Sequence, residues 1–288
     1  MLPARFEYHR PSSLEEALGL LGSLEDAKIL AGGQSLIPVM KLRFAAPSHL
    51  VDINHVPGLD GIDAGNGTLR LGALVRHNQV AGSDVVAARH PLLASTAPQI
   101  ADPLVRNLGT VGGSLAHADP AGDWGSAMLA AGASVALRSS RGEREVAVSD
   151  FLVDIFTTAM EADEILTEVR VPLPAGSIGG AYLKLERKIG DFATVGVAVQ
   201  VELDGDTIRR AGIGLTGVGS KNIRADEAEQ ALAGAEPSED AFANAGRLAA
   251  AAADPVGDVR GSAEYKRHIV DVYVRRGLAR AVETARAA

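Results

Sequence analysis

Cysteine is absent from this 288-residue chain. Its absence excludes disulfides, a thiolate nucleophile and an iron–sulfur cluster ligated by cysteines of this chain. No apolar run approaches the roughly 18 residues that a membrane helix needs, and the N-terminus lacks the apolar core of a signal peptide. A net charge of −8 disfavours nucleic acid or an acidic membrane surface as a partner. Together these features predict a soluble cytoplasmic protein without a membrane span.

Glycine, by contrast, is frequent, and two segments place adjacent glycines before a hydroxyl residue. The first glycine segment is Ala31-Gly32-Gly33-Gln34-Ser35-Leu36, and the second is Thr110-Val111-Gly112-Gly113-Ser114-Leu115-Ala116. Because glycine has no Cβ, backbone N–H groups can approach a ligand closely there. Converging N–H groups suit phosphate oxygens, especially beside a helix N-terminus. The pair predicts a dinucleotide site that holds a diphosphate from two sides, although each segment alone is also consistent with a simple turn.

Hydrophobic periodicity predicts two α+β domains, at residues 1–175 and 178–286. The first contains a capped helix at 12–22, a strand from Lys28 to Ala31 that enters the first glycine segment, and a helix from Pro91 to Ala101. The second glycine segment is expected to be a loop. Prolines and glycines at 172–180 indicate a linker. Beyond it, strict alternation from Val195 to Leu203 predicts a strand with one buried face. An antiparallel return strand and helices near 225–233, 238–253 and 262–286 complete the second domain.

A second candidate dinucleotide motif, formed by Gly212, Gly214 and Gly217, matches the pattern G-x-G-x-x-G. That motif requires a strand before it and a helix that opens inside it. Here the glycines continue the second strand of a hairpin, where glycine marks a bulge or close packing. The sequence therefore predicts a bulge or close packing at these positions and no nucleotide site.

Three motifs, in order, resemble the FAD-binding medium subunit of molybdenum hydroxylases, the group that includes carbon monoxide dehydrogenase and xanthine dehydrogenase. The motifs are the first glycine segment with its continuation to residue 54, the region 106–123, and the region 182–193. The resemblance extends over essentially the whole chain and is closest to the carbon monoxide dehydrogenase branch. It implies an FAD-binding domain of the vanillyl-alcohol oxidase (PCMH) type, followed by a C-terminal domain that covers the isoalloxazine.

The resemblance also implies which residues bind the FAD diphosphate through backbone N–H groups. On one side these are Ala31, Gly32, Gly33, Gln34, Ser35, Leu36 and Ile37. On the other side they are Thr110, Gly112, Gly113 and Ser114.

Further residues are assigned to other parts of FAD by the same resemblance. Asp123 matches a position near the adenosine ribose, Leu166 lies in a segment that borders the adenine, and Lys184 matches a cation near the flavin. Phe192 resembles an aromatic residue that shields one flavin face, with a core position as the alternative. His117 lies beside the second segment and either reaches the cofactor or serves in a turn.

Neither a metal site nor a catalytic side chain is expected on this chain. Metal-ligand spacing is absent from the scattered histidines at 49, 55, 77, 90 and 268. No serine stands in G-x-S-x-G.

The resemblance implies an electron-transfer subunit that carries FAD. A large partner would hold molybdopterin and oxidise the substrate, and a small partner would hold two [2Fe–2S] clusters, typically within a dimer of heterotrimers. The lack of cysteine agrees with clusters on another chain. One alternative is a free-standing flavin oxidase, which needs its own base or a covalent flavin link. Another is an assembly module that has lost FAD, which the four intact glycines disfavour. The substrate and the final electron acceptor are not indicated.

Overall fold

A small parallel sheet forms the N-terminal part of the structure, a computed structural model that describes residues 2–287. Its strands have the order β1-β3-β2, so the first strand along the chain is an edge strand. Ser13 caps the first helix by accepting a hydrogen bond from the Glu16 N–H, as the predicted capped helix requires. The elements are β1 (Glu7–His9), α1 (Leu14–Ser23), β2 (Ala27–Leu30), α2 (Leu36–Lys41) and β3 (His49–Asp52).

A five-stranded antiparallel sheet follows, with the order β4-β5-β10-β6-β7. Its strands are β4 (Ile62–Gly65), β5 (Thr68–Gly72), β6 (Ser134–Ser139), β7 (Gly142–Ala147) and β10 (Ile165–Pro172). A two-stranded ribbon consists of β8 (Leu152–Asp154) and β9 (Thr157–Thr158). The helices of this region are α3 (His77–Ala81), α4 (Asp84–Arg89), α5 (Pro91–Thr96), α6 (Pro103–Leu108), α7 (Val111–His117), α8 (Asp123–Ala131) and α9 (Val148–Phe151).

Two helices differ from the sequence-based expectation. The sequence pattern predicts one helix from Pro91 to Ala101, but α5 ends at Thr96 and a single 3-10 turn follows. Pro98 explains the early end, because it lacks an N–H and its ring disfavours continued α-helix. The second glycine segment was predicted as a loop, yet it forms α7, capped by the Thr110 side chain. Burial of Val111 and Leu115 in the core outweighs the low helix propensity of the two glycines.

The C-terminal part is a four-stranded antiparallel sheet covered by helices on one face. Its elements are β11 (Ser177–Leu185), β12 (Val195–Asp204), β13 (Thr207–Thr216), β14 (Ile223–Arg224), α10 (Asp226–Leu232), α11 (Glu239–Ala252) and α12 (Ala263–Ala287). Along residues 2–287, no helix combines the length and the apolarity needed to cross a bilayer.

The predicted linker at 172–180 is partly wrong, because β11 begins at Ser177. Its glycines lie in the strand and allow close packing on both faces. A Cβ on Gly179 would lie 1.8 Å from the Ala281 carbonyl oxygen of α12, and one on Gly180 would lie 2.6 Å from Leu92 of α5. The strand is thus packed between helices from the two parts of the chain.

Helix α8 packs between the two large sheets, and all its residues are buried. It lies on β13 because Gly212 and Gly214 present no side chain: Cβ atoms there would lie 1.8 Å from the Ala130 oxygen and 2.0 Å from the Ser126 oxygen. Of the two alternatives for the glycines of the rejected motif, a bulge or close packing, Gly212 and Gly214 show close packing. The helix also buries the second face of β12, so the prediction of only one buried face is wrong.

We predict that Gly212→Ala destabilises the protein by about 1–3 kcal/mol or more, since the added methyl group has no space between β13 and α8. Gly19→Ala, in the exposed interior of α1 with no atom near its Cβ position, should instead stabilise by about 0.5–1 kcal/mol. Urea unfolding followed by circular dichroism measures both. Equal effects of the two substitutions would contradict the packing described here.

Candidate functional site

The two glycine segments lie in direct contact. A Cβ on Gly32 would lie 2.3 Å from the Leu108 carbonyl oxygen and 2.8 Å from the Gly109 Cα. A Cβ on Gly113 would lie 3.7 Å from that of Ala31. The first segment therefore packs on the backbone that leads into the second, and it can do so only because residue 32 has no side chain.

Arg76 and Asn54 fix this contact with polar bonds. The Arg76 guanidinium donates to the Leu108 carbonyl and, at 2.6 Å, to Asn54 Oδ1. Asn54 in turn donates from Nδ2 to the Ala31 carbonyl at 2.7 Å. No local motif in the sequence marks Arg76, because its partners are 22 and 32 residues away along the chain.

The first segment presents backbone N–H groups that have no acceptor in the described part of the chain. Gly33 has a φ of +71°, a left-handed conformation suited to glycine. The chain then enters α2, whose first bond runs from the Ile37 N–H to the Gly33 carbonyl at 3.0 Å. The N–H groups of residues 33–36 are left without an acceptor at this helix start, since Ser35 makes no capping bond with its side chain. Such a turn suits the oxygens of an anion.

The second segment differs, because the N–H groups at its start are bonded within the protein. Val111 donates to the Val75 carbonyl at 2.9 Å and Gly112 to the Ala73 carbonyl at 3.1 Å. The Gly113 N–H donates to the Thr110 hydroxyl oxygen at 3.0 Å. The expectation that this segment binds a diphosphate through amides of Gly112 and Gly113 is therefore not met. What it offers instead is the half-buried Ser114 hydroxyl, because Thr110 is buried and its side chain caps α7.

His77 packs against Gly109, the residue that precedes the second segment. Its backbone N–H donates to the Gly109 carbonyl at 3.1 Å, and its Nδ1 accepts from the Trp124 indole at 3.0 Å. A Cβ on Gly109 would lie 2.7 Å from the His77 Nε2. Burial, together with the charges of Arg106 and Arg76, lowers the pKa of His77 to about 4. The ring is thus neutral and can accept the indole hydrogen; the sequence had indicated only a histidine without metal-ligand spacing.

Asp123 and Lys184 form a buried ion pair at the junction of the two parts of the chain. Lys184 Nζ lies 3.0 Å from Asp123 Oδ2, and the Tyr182 hydroxyl donates to Oδ1 at 2.6 Å. Burial raises the pKa of Asp123, while Lys184 and the Tyr182 hydroxyl act in the opposite direction. An extended FAD separates its ribose and flavin by far more than the 3.0 Å between these groups. The separate roles that the resemblance implied for Asp123 and Lys184 therefore cannot both hold.

The remaining predicted residues lie in different environments. Leu166 is buried in the core of the five-stranded sheet, next to a bulge in β10. Phe192 is 54% exposed in the loop between β11 and β12, which excludes the core alternative. His117 ends α7 and packs on Phe156 with ring centroids 5.0 Å apart, and burial lowers its pKa.

Both parts of the chain match known protein families. Residues 4–174 match the family described as FAD binding domain in molybdopterin dehydrogenase, and residues 180–281 match the CO dehydrogenase flavoprotein C-terminal domain. The carbon monoxide dehydrogenase medium chain of Hydrogenophaga pseudoflava is 43% identical over 96% of this chain and 97% of its own length. The 6-hydroxypseudooxynicotine dehydrogenase complex subunit alpha of Paenarthrobacter nicotinovorans is 42% identical, with coverage of 99% and 97%.

A solved structure of carbon monoxide dehydrogenase from Hydrogenophaga pseudoflava, lacking the Mo-pyranopterin moiety of its cofactor, superposes with a TM-score of 0.96. Sequence identity is 44%, and 99% of each chain is covered. The chain therefore belongs to the family of FAD-binding medium subunits of molybdenum hydroxylases. The predicted α+β class, an FAD-binding domain followed by a domain with an antiparallel sheet, is confirmed.

We predict that stability falls between pH about 6.5 and about 4, because His77 takes up a proton more readily when unfolded. Its pKa is about 4 in the folded protein, so its contribution is complete above pH 6.5 and decreases by up to about 3 kcal/mol as the pH approaches 4. His90, also buried with a pKa of about 4, acts in the same direction.

Urea unfolding at several pH values measures this dependence. His77→Asn should reduce the loss of stability between pH 6.5 and 4, whatever its effect at neutral pH. His268→Asn, at an exposed position on α12, is the control and should leave the dependence unchanged. If the free energy of unfolding of the His77 variant depended on pH as strongly as that of the wild type, the His77 ring would not be the cause of this dependence.

Proposed function

We propose that this chain holds the FAD diphosphate against the N–H groups of residues 33–36, with the second glycine segment closing the site from the other side. The observation that carries the proposal is the row of amides without acceptors at the start of α2, next to a second segment in contact with it. Amides directed at one point stabilise an anion without a cationic side chain.

The other predicted cofactor contacts follow from the family and are proposals of the same kind. Ser114 would donate its hydroxyl hydrogen to the diphosphate. Thr110, which is buried, would hold the second segment in place beside it by capping α7. The Asp123–Lys184 pair would keep the two parts of the chain aligned around the cofactor. Leu166, His117 and Phe192 are proposed to border it at more distant points. Bound FAD supplies electron acceptance and donation, and the protein contributes binding, orientation and electrostatics.

We further propose the partners expected from the sequence: a large subunit with molybdopterin and a small subunit with [2Fe–2S] clusters, in a dimer of heterotrimers in the cytoplasm. This chain would accept electrons from a cluster of the small subunit and pass them to an external acceptor. Relatives named for carbon monoxide and for 6-hydroxypseudooxynicotine are 43% and 42% identical to it. Such equal similarity is expected if the substrate is selected on another subunit.

Gly33→Asp tests the diphosphate site. A carboxylate at the row of free amides should repel the diphosphate and weaken FAD binding by about tenfold or more, equivalent to about 1.4 kcal/mol. Gly33→Asn adds a side chain of the same shape without the charge and should bind better than the Asp variant. FAD content by absorbance near 450 nm and titration of the apoprotein measure both.

Gly67→Asp is the matched control. This glycine has a similar φ of +74° and lies in a hairpin turn with no atom near its Cβ position. It should retain normal FAD content. If Gly33→Asp also retained FAD, the first segment would not be the diphosphate site.

The electron-transfer role is tested in the assembled complex. With Gly33→Asp in this subunit, substrate should still bleach the [2Fe–2S] absorbance, whereas reduction of the external acceptor should fall with the FAD content. The isolated wild-type chain, mixed anaerobically with candidate alcohols, should keep its 450 nm absorbance. Bleaching without any partner would instead support a free-standing oxidase.

A further inference from the structure

The N-terminal parallel sheet brings two histidines and a glutamate together on one face. Glu7 and His9 are two positions apart in β1, so both side chains point to the same side of the sheet. The register of β1 and β3 pairs Glu7 with His49, which adds the third side chain to that face. Tyr8 points to the opposite face, where its hydroxyl donates to Asp52 Oδ2 at 2.6 Å and fixes the edge strand.

The three side chains converge through their ligand atoms. His9 Nε2 lies 3.0 Å from His49 Nδ1, and Glu7 Oε2 lies 3.7 Å from the same nitrogen. All three ligand atoms lie within 4.8 Å of one another. A metal bound at about 2.0–2.1 Å by two imidazole nitrogens holds those nitrogens about 2.9–3.4 Å apart. The observed separation of 3.0 Å therefore fits a shared metal with little movement of the backbone.

We propose that Glu7, His9 and His49 bind a divalent transition-metal ion, with water completing the coordination. Two imidazoles and one carboxylate suit Zn²⁺, Cu²⁺ or Ni²⁺, whereas Ca²⁺ and Mg²⁺ prefer oxygen ligands alone. The Glu7 side chain is 71% exposed, which leaves an open side for water. Without metal, the two imidazoles share a single hydrogen bond, whose donor depends on the tautomer.

This site is separate from the proposed FAD site. His49 is the first residue of β3, whereas the first glycine segment follows the last residue of the parallel strand β2. In addition, β1, which carries Glu7 and His9, and β2, which leads into the first glycine segment, are the opposite edge strands of the sheet, with β3 between them. A metal ion here would join the edge strand β1 to the central strand β3, so its binding should stabilise the fold without altering the flavin spectrum.

The expectation of no metal site rested on histidine spacing along the chain. His9 and His49 are 40 residues apart, and only the parallel pairing of β1 with β3 brings them together. A short spacing between ligands in the sequence identifies a metal site on one helix or one loop. It cannot identify a site whose ligands come from neighbouring strands that are distant in sequence.

The test uses untagged, FAD-loaded protein treated with a chelator and then dialysed. Calorimetric titration with Zn²⁺ should show one site per chain, and Zn²⁺ should raise the melting temperature. Electron paramagnetic resonance with one equivalent of Cu²⁺ should show coupling to two nitrogen ligands, and oxidised FAD gives no competing signal. The 450 nm band should stay unchanged throughout.

His9→Asn and His49→Asn should each weaken Zn²⁺ binding by about tenfold or more, a loss that even outer-shell partners can cause. Glu7→Gln, an exposed change that leaves the fold intact, should weaken it as well. His268→Asn is the control and should bind Zn²⁺ as the wild type does.

Zn²⁺ binding by the His9 and His49 variants as tight as that of the wild type would overturn the proposal. So would a Cu²⁺ signal without nitrogen coupling, which the wild-type protein alone can reveal even if a histidine variant fails to fold.

Discussion

The contact between Gly32 and the Leu108–Gly109 backbone is the constraint on which the candidate site depends. Any side chain at position 32 would meet a carbonyl oxygen at 2.3 Å, so the two glycine segments can adjoin only if this residue is glycine. Arg76 and Asn54 then bond the carbonyls on both sides of the contact. The contact places the acceptor-free amides of residues 33–36 beside the capped start of α7. The two segments differ in what they present: the first presents amides, and the second presents the Ser114 hydroxyl on a helix that the core holds in place.

A second constraint, of the same physical kind, joins the two parts of the chain. Helix α8 is buried completely between the sheets, and Gly212 and Gly214 give it space against β13. The first residue of this helix, Asp123, pairs with Lys184 on β11. Because each partner of a buried ion pair is costly to leave uncompensated, the pair fixes the relative position of the helix and the C-terminal sheet. The same small-residue packing that builds the fold therefore also aligns the walls of the proposed cofactor site.

Several features were predictable from sequence because they depend on local chemistry. Three features follow from residue types and their spacing: a serine cap at the start of α1, the hairpin strands β12 and β13, and the absence of a nucleotide motif at the glycines of β13. The resemblance carried by three ordered motifs indicated the family, which the comparisons confirm. Other features could not be predicted in this way. The helix at the second glycine segment forms because Val111 and Leu115 are buried, and burial there depends on strands distant in sequence.

The sequence by itself determined the class of protein, the positions of the two double-glycine segments, and the absence of cysteine ligands on this chain. These are properties of residue type and order, and they do not require knowledge of distant neighbours. Only the tertiary structure decided which backbone amides remain free. It also decided that the side chains of Asp123 and Lys184 form an ion pair, and that the His9 and His49 rings lie within hydrogen-bond distance across parallel strands. The physical reason is that hydrogen bonding and ion pairing depend on distance in space, which pairing between remote strands and helices sets.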